Sequence, residues 1–498
     1  MSVSRSTTSP AEGDSLVEAS TASSHDPGRT EYTLKRIAHW DAVALRARPT
    51  WGDYYHRRLE QIYQDLVPPG QKVLEVGCAT GDLLAALAPS EGVGVDLSGQ
   101  MVHQAREKYP KLNFVHADIH DAALEGTFDT IVLSDVVNDL WDVQQVFERI
   151  KAWCGPHTRI ILNSYSRVWQ PQLTLVRALG VATPLLPQNW LTAEDITNLL
   201  SLADLEVVRK STEILFPLDI PLLARLCNRY LVKFAPFRWF ALTHVLVARV
   251  RPRPAQSSKG DGVSVVIPAR NEEGNIERII TSVPDMGAHT ELIFVEGHST
   301  DNTYAAIQEA VKAHPERSCQ VLKQTGKGKG DAVRLGFSCA QHNILMILDA
   351  DFTVPPSDLP RFYQALVSGQ GEFINGVRLV YPMEDKAMQF CNVVGNRFFS
   401  LAFSWLLGQQ IKDTLCGTKV LWKRDYERIA ADKAFFARFD PFGDFDLLFG
   451  AAKLSLKLLD LPVRYRQRTY GETNIHRWRH GWLLLKMVAH AARRVKFV

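Results

Sequence analysis

The stretch "LMILDADFTVPP", residues 345–356, decides how half of this chain is read. Ile344 to Leu348 are apolar and read as a buried strand, and Asp349 and Asp351 follow directly. Positions two apart in a strand share a face, so both carboxylates leave the strand end toward one point. Two ionised acids that close repel each other unless a cation lies between them. The spacing predicts a cation site at the tip of a core strand.

Working outward, 498 residues are too many for one ordinary core, and two or three domains are expected. The composition is that of a soluble globular protein, 46% hydrophobic and 22% charged with a formal net charge of +3, which gives no general affinity for nucleic acid. Seven cysteines without a C-x-x-C pair argue against a disulfide framework or a zinc site and for a reducing cytosol. Residues 1–30 lack the apolar core of a signal peptide, are rich in Ser, Thr and Ala, and are expected to be disordered. No apolar run reaches the roughly 20 residues of a spanning helix, so no integral membrane segment is expected. In "RVRPRPAQSSKGDG", residues 249–262, Pro, Ser, Gly and charge replace periodic apolar residues. Residues 249–261 therefore read as an exposed linker between a domain at 31–248 and one at 262–498. Each half alternates short apolar runs with amphipathic stretches, the pattern of an α/β sheet with crossover helices.

In the first half, "KVLEVGCATGD" (72–82) runs from a strand into a tight loop with Gly77 and Gly81 and then into a helix. Glycines there let backbone approach a ligand. A second strand ends at Asp96, where a carboxylate can take both hydroxyls of a ribose. A third leads to Asp118, and a fourth to Ser134 and Asp135. Open α/β sheets bind ligands at the carboxyl ends of their strands, where all these residues fall. The loop lacks the G-x-G-x-x-G spacing of a dinucleotide site. The pattern resembles the class I S-adenosylmethionine-dependent methyltransferases. The resemblance implies a Rossmann-like domain with S-adenosyl-L-methionine as cofactor: the loop from Gly77 to Gly81 at its amino-acid end, Asp96 at the ribose, and Asp118 with Ile119 at the adenine. Glu75, Cys78, Leu97 and Ser134 complete the implied cofactor site. The methyl acceptor is not legible. Asp135, Asn138, Asp139 and His120 lie near the expected opening, and each serves equally well as a helix cap or surface residue.

In the second half, "GVSVVIPARNEEGNIERII" (262–280) gives a strand reaching Pro268 and then a helix. "ELIFVEGHSTDNT" (291–303) puts Glu296 at a strand tip, with ordinary N-cap residues after it. "KQTGKGKGDAVRLGF" (323–337) and the opening stretch follow. This order resembles glycosyltransferase family 2, with a GT-A fold, across 262–498. The resemblance implies a nucleotide-sugar donor, with Pro268, Ala269, Glu272 and Glu296 at its base and ribose. It also implies Mg2+ or Mn2+ held by Asp349 and Asp351, neutralising charge that develops on the leaving diphosphate. Lys329 becomes a phosphate contact, against the alternative of a solvated lysine in a Gly/Lys loop. Glu296 stands where the family usually has Asp, which leaves the base open.

Three further segments bear on the acceptor. "KDTLCGTKVL" (412–421) resembles a segment of the dolichyl- and polyprenyl-phosphate sugar synthases. "DPFGDFDLL" (440–448) places Asp444 and Asp446 where inverting relatives keep an acid near the acceptor. "PVRYRQRTYGETNIHRWRHG" (462–481) aligns Arg464, Arg466 and Arg468 on one face if it is a strand, suiting a phosphate-bearing acceptor or else forming a solvated edge. The basic tail 477–498 and the apolar segment 387–408 suit an anionic membrane surface or, equally, two core helices. The leading expectation is a methyltransferase joined to an enzyme that loads a sugar onto polyprenyl phosphate, cytoplasmic and peripheral at the inner face of the membrane. Two alternatives stay open: a hydroxyl acceptor on a glycan or small molecule, and a first domain that only binds or scaffolds.

Overall fold

The computed structural model describes residues 27–45, 53–178, 186–252, 260–378, 390–431, 443–466, 468, 470 and 477–497. Most of the segment expected to be disordered (1–26) and the middle of the linker (253–259) lie outside these residues.

The N-terminal sheet comprises β1 (Lys72–Val76), β2 (Glu91–Asp96), β3 (Asn113–His116), β4 (Phe128–Leu133), β5 (Cys154–Tyr165), β6 (Leu205–Glu213) and β7 (Thr243–Val250). Their order is β3-β2-β1-β4-β5-β7-β6, with β7 antiparallel to both neighbours and the rest parallel. The C-terminal sheet comprises β8 (Val263–Ala269), β9 (Thr290–Glu296), β10 (Ser318–Lys323), β11 (Ile344–Ile347), β12 (Phe373–Val377), β13 (Lys419–Trp422) and β14 (Leu458–Pro462). Its order is β10-β9-β8-β11-β13-β12-β14, with only β13 antiparallel to its neighbours. Helices cover both faces of such sheets, so the central strands read as unbroken apolar runs; every residue of β9 and β11 is buried. Strand order reverses at β1/β4 and at β8/β11, and the crevices open there at the carboxyl ends.

Four expectations change. The strand of the opening stretch ends at Ile347, and Asp349 and Asp351 lie in a turn where Phe352 is left-handed (φ 58°). Strand alternation therefore does not aim the two carboxylates; the turn does. Residues 27–30 are helical, because α1 (Pro27–Ala44) is tied down by tertiary partners. Arg29 pairs with Asp118 (3.3 Å) and with Asp121, and Asp41 accepts from Ser98 Oγ (2.5 Å) and the Gln100 N–H (3.1 Å). Arg249, expected in the linker, is a buried residue of β7. Finally, Arg464, Arg466 and Arg468 are not in a strand: β14 stops at Pro462.

The two sheets meet through buried charge. Glu372, just before β12, accepts two bonds from Arg159 of β5 (2.9 and 2.8 Å) and lies 3.2 Å from Arg249 of β7. Arg159 Nε also donates to Ser455 O (2.9 Å), and Arg249 to Gly369 O (2.7 Å). Burial opposes the Glu372 charge, but the two guanidiniums prevail and lower its pKa. Lys457 reaches back to Glu206 at 2.5 Å.

Removing Arg159 leaves buried Glu372 with Arg249 alone at 3.2 Å, and breaking a buried pair is strongly destabilising. Arg159→Met should therefore cost about 3 kcal/mol of unfolding free energy, measured by denaturant titration. The double variant Arg159→Met/Glu372→Met should cost less than the single one; a larger, additive loss would show that the two charges are not coupled.

Candidate active sites

Among the described residues, six non-glycine residues that follow strand ends are left-handed: Ala79 (φ 44°), Asp135 (φ 55°), Ile214 (φ 56°), Asn271 (φ 56°), His298 (φ 56°) and Phe352 (φ 58°); all but Ile214 lie at the two crevices. Such backbone strain persists only where the surroundings enforce it, and it concentrates at binding clefts. Both crevices are marked this way.

At the N-terminal crevice, Asp96 joins the loop after β1 to the turn after β2. Its Oδ2 accepts from the Ala79 N–H (2.8 Å) and its Oδ1 from the Ser98 N–H (2.9 Å). Burial raises its pKa, with those two bonds working against the rise. Gly77 (φ 73°) and Gly81 (φ 77°) are required by the fold itself: a side chain would overlap Val136 at the first and Phe114 at the second. The room they provide is thus taken by protein, not only by a ligand. The Cys78 side chain faces the core, packed against Gly94, and Ile119 is also a core residue, so these two bring only backbone to the crevice. Leu97 and Ser134 are half-buried at their strand ends. Asp118 Oδ1 accepts from the His120 N–H (2.9 Å) and lies 2.6 Å from His120 Nδ1. Burial opposes the charge on Asp118, but His120 and Arg29 bring its pKa down to about 2.

The residues near the opening separate clearly. His120 is engaged at both ring nitrogens, since Nε2 accepts from the Asp142 N–H (3.1 Å). Asn138 donates to Asn189 O (2.5 Å), and Asp139 holds Trp40 (3.0 Å) and Arg36 (3.4 Å) of α1. Asp135 differs: Oδ1 accepts from Tyr55 OH (2.8 Å) and Asn163 Nδ2 (2.5 Å), while Tyr63 OH donates to Asn163 Oδ1 (2.8 Å). Burial raises the Asp135 pKa against His56 and these hydrogen bonds. Tyr55 and Tyr63 come from α2 (Asp53–Leu66), whose sequence carries no local sign of this network. The residues fit S-adenosylmethionine in donor and acceptor chemistry. Glu75 is buried with Oε2 lacking a hydrogen-bond partner, and each Asp96 oxygen has further acceptor capacity for a hydroxyl.

At the C-terminal crevice, Pro268 and Ala269 end β8 and Glu296 ends β9, its Oε1 accepting from the Ser299 N–H at 2.6 Å. Asp349 Oδ1 lies 2.5 Å from Lys329 Nζ, and Asp351 Oδ2 2.8 Å from Arg468 Nη2. Arg468 also approaches Glu272 Oε1 (3.5 Å). The Glu272 pKa is pushed up to about 7 by burial, with Arg468 opposing and Asp351 and Asp349 adding to it. From Lys329 the charges continue inward in alternation: 4.0 Å to Asp444 Oδ2, then 3.6 Å from Asp444 Oδ1 to Lys419 Nζ. Lys419 is fully buried and donates to Cys416 O (2.5 Å) and Asn375 Oδ1 (3.2 Å). Burial works against the charge on Lys329, but Asp349 and Asp444 prevail and raise its pKa.

The acids expected to act together do not converge. Asp444 and Asp446 both open the helix Asp444–Lys453, but residues two apart there point about 200° from each other. Asp444 joins the charge row, whereas Asp446 lies 3.7 Å from the half-exposed Arg334. Of the three arginines only Arg468 enters the cluster; Arg464 and Arg466 are exposed. Lys419 and Gly417 belong to the site although no role for them was read from the sequence. Arg378 makes a two-pronged pair with buried Asp413 (2.7 and 2.9 Å). Gly417 passes so close that a methyl group would overlap the Asp349 carboxylate and the Lys329 ammonium. The second and fourth positions of "CGTK", Gly417 and Lys419, carried the signal.

Asp349 and Asp351 offer the hard oxygen donors that Mg2+ or Mn2+ takes. Among the described residues no three or more His, Cys, Asp or Glu form a metal cage. That suits a cation that keeps one or two protein carboxylates and draws its other oxygens from a substrate diphosphate. The residues fit such an ion.

Comparison with known proteins agrees with both halves. The family Glycosyl transferase family 2 matches residues 264–428, and a Methyltransferase domain family matches 73–157. "Glycosyltransferase AglJ" of Haloferax volcanii is 29% identical over 45% of this chain and 70% of its own. "Undecaprenyl-phosphate 4-deoxy-4-formamido-L-arabinose transferase" of Edwardsiella ictaluri is 24% identical over 42% of this chain and 62% of its own. "Dolichol-phosphate mannosyltransferase" of Pyrococcus furiosus is 26% identical over 47% and 67%. The chain thus spans between 62% and 70% of the length of these relatives. With two α/β sheets, each carrying a strand-end crevice and each matched by its own family, the chain is a transferase that joins a methyltransferase domain to a glycosyltransferase family 2 domain.

Proposed function

We propose that the C-terminal domain moves a sugar from a nucleotide-sugar onto a polyprenyl phosphate, and that the N-terminal domain moves a methyl group from S-adenosylmethionine onto a separate acceptor. The observation that carries the first part is the row Asp349, Lys329, Asp444, Lys419 with Arg468 beside it. A hydroxyl acceptor loses its proton as the new bond forms and requires a base in contact with it. Asp444 is buried and faced by two ammonium groups, which suits it to hold Lys329 in place. A phosphate monoester is already an anion, with a second pKa near 6, and requires cations to position it. Arg468 has the planar donor fork for that task. Two of the relatives carry a polyprenyl-type phosphate in their names, which supports the same acceptor class.

In this reading Pro268, Ala269, Glu272 and Glu296 line the base and ribose of the donor, and Lys329 meets its diphosphate. A divalent ion at Asp349 and Asp351 supplies charge neutralisation for the leaving group. Lys329 and Arg468, which pair with those aspartates, are placed to turn to phosphate oxygens. In the N-terminal domain Asp96 takes the ribose and Glu75 the cofactor's ammonium. Asp135, with Tyr55 beside it, faces the methyl acceptor. Methyl transfer from a sulfonium depends mostly on alignment, which this hydrogen-bonded group supplies.

Gly417→Ala should abolish glycosyl transfer while the protein still unfolds at its normal temperature, because the added methyl displaces two flexible side chains rather than backbone. Transfer at the normal rate would remove Lys329 and Asp349 from the site. Asp349→Asn should lower sugar transfer by at least about 100-fold, a loss of the size seen when one charge-stabilising group is removed. Methyl transfer should be unchanged; full activity of chelator-treated protein would refute the cation's role. Asp96→Ala in the full chain should weaken S-adenosylmethionine binding by at least about 10-fold in calorimetry, from the loss of hydrogen bonds to a charged group. Sugar transfer should continue.

A further inference from the structure

Between β6 and β7 the chain runs through residues 220–240, which hold the longest series of exposed large apolar side chains among the described residues. Leu222 is 85% exposed, Trp239 63% and Phe240 56%. The series is held firmly in shape. Asn228 is buried, accepts from the Leu215 and Phe216 N–H groups (2.7 and 2.8 Å), and donates to Phe216 O (2.7 Å) and Tyr54 OH (2.9 Å). An apolar patch built outward in this way marks a surface with a partner.

The patch is continuous with the C-terminal turn Ala492–Lys496. Tyr230 and Phe234 pack against Phe497 (5.2 and 5.9 Å between rings), Phe234 stacks on Trp405 (5.1 Å), and Arg229 Nε donates to Phe497 O (2.8 Å). Where the two segments meet α2 there is a cleft of about 800 Å³ lined by Arg58, Arg225, Arg229, Arg493 and Arg494, with Asp65 the one acid among its lining residues. Deeper in the same junction, Lys496 has its pKa held down to about 7 by burial and by the cations of Lys233 and Arg209. So many like charges around one cleft call for an anion. Guanidiniums pair with phosphate through two parallel hydrogen bonds. Trp, Phe and Leu beside cationic side chains are the composition of a face that lies in the headgroup zone of a bilayer.

We propose that this face docks the protein on an anionic phospholipid bilayer. The apolar side chains of 220–240 enter the headgroup zone, and the arginine cleft seats lipid phosphates. The inference rests on the proposed acceptor being held in a membrane, but it assigns the contact to the methyltransferase domain and the C-terminal turn. No helix among the described residues is long and apolar enough to cross a membrane, so contact by this face would be peripheral.

The test is co-sedimentation of the full-length protein with phosphatidylcholine vesicles that contain or lack phosphatidylglycerol. Binding should require the anionic lipid and weaken with salt. Arg225→Glu/Arg493→Glu should bind at least about 10-fold more weakly, since each basic residue near an anionic surface contributes about 1 kcal/mol and reversal also adds repulsion. Leu222→Asp/Trp239→Asp should lose binding independently. Both variants should keep normal thermal unfolding and normal sugar transfer to a short-chain, detergent-dispersed polyprenyl phosphate. Failure of the wild-type protein to sediment, equal binding to neutral vesicles, or unchanged binding by both variants would overturn the proposal. Release by inorganic phosphate beyond that by chloride of equal ionic strength would also overturn it, pointing to a soluble phosphate ligand. Transfer only to a water-soluble alcohol would refute the acceptor reading and leave the vesicle result standing.

Discussion

A charge taken out of water has to be paired, and that constraint organises this molecule at every level. Its largest expression is Glu372, which lies between Arg159 and Arg249 where the two sheets meet. One carboxylate from the C-terminal sheet satisfies two guanidiniums from the N-terminal one. Separating the halves would leave Glu372 without either guanidinium and Arg159 without its carboxylate, whereas Arg249 keeps Glu206 of its own sheet. The contact between the domains is therefore specified by charge, not only by apolar area.

The same rule builds the glycosyltransferase crevice. Asp349, Lys329, Asp444 and Lys419 alternate in sign from the crevice to the buried base of β13. Each charge is matched by its neighbours, so the row is stable without substrate and yet offers exchangeable partners at its outer end. Glu272, raised to about 7 chiefly by burial and further by Asp351 and Asp349, shows that Arg468 alone does not offset its loss of water. The row also explains why a glycine is required at 417, since the backbone there runs against the outer pair.

The methyltransferase crevice follows the rule more quietly. Helix α1 brings Arg29, Arg36 and Asp41 across the carboxyl ends of the strands, and each is paired there with a charge or polar group from a strand-end loop. Asp139 is taken up by Trp40 and Arg36 of that helix, His120 by Asp118 and Asp142, and Asp135 by Tyr55 and Asn163.

The sequence by itself determined the two-sheet α/β architecture, the strand-end positions of Asp96, Asp118, Glu296 and Asp349, and the turn glycines at 77 and 81. These features are local. Apolar run length, the alternation of strands and helices, and the glycine requirement for positive φ are all written in consecutive residues. It also pointed to Lys329, Asp444 and Arg468, through the resemblance of whole segments. Only the tertiary structure decided which of the paired acids faces the site, because a helix start turns Asp444 inward and Asp446 away. It alone decided that Lys419 and Gly417 belong to the same cluster, since the charged groups they meet, Asp444 for Lys419 and Asp349 and Lys329 for Gly417, lie 25 or more positions away along the chain. It likewise moved Arg249 from a linker into the core and residues 27–30 into a helix. In each case the residue type looks polar and mobile when read along the sequence. Its place is fixed by a charge or hydrogen bond from a distant segment, and sequence periodicity carries no record of such a partner.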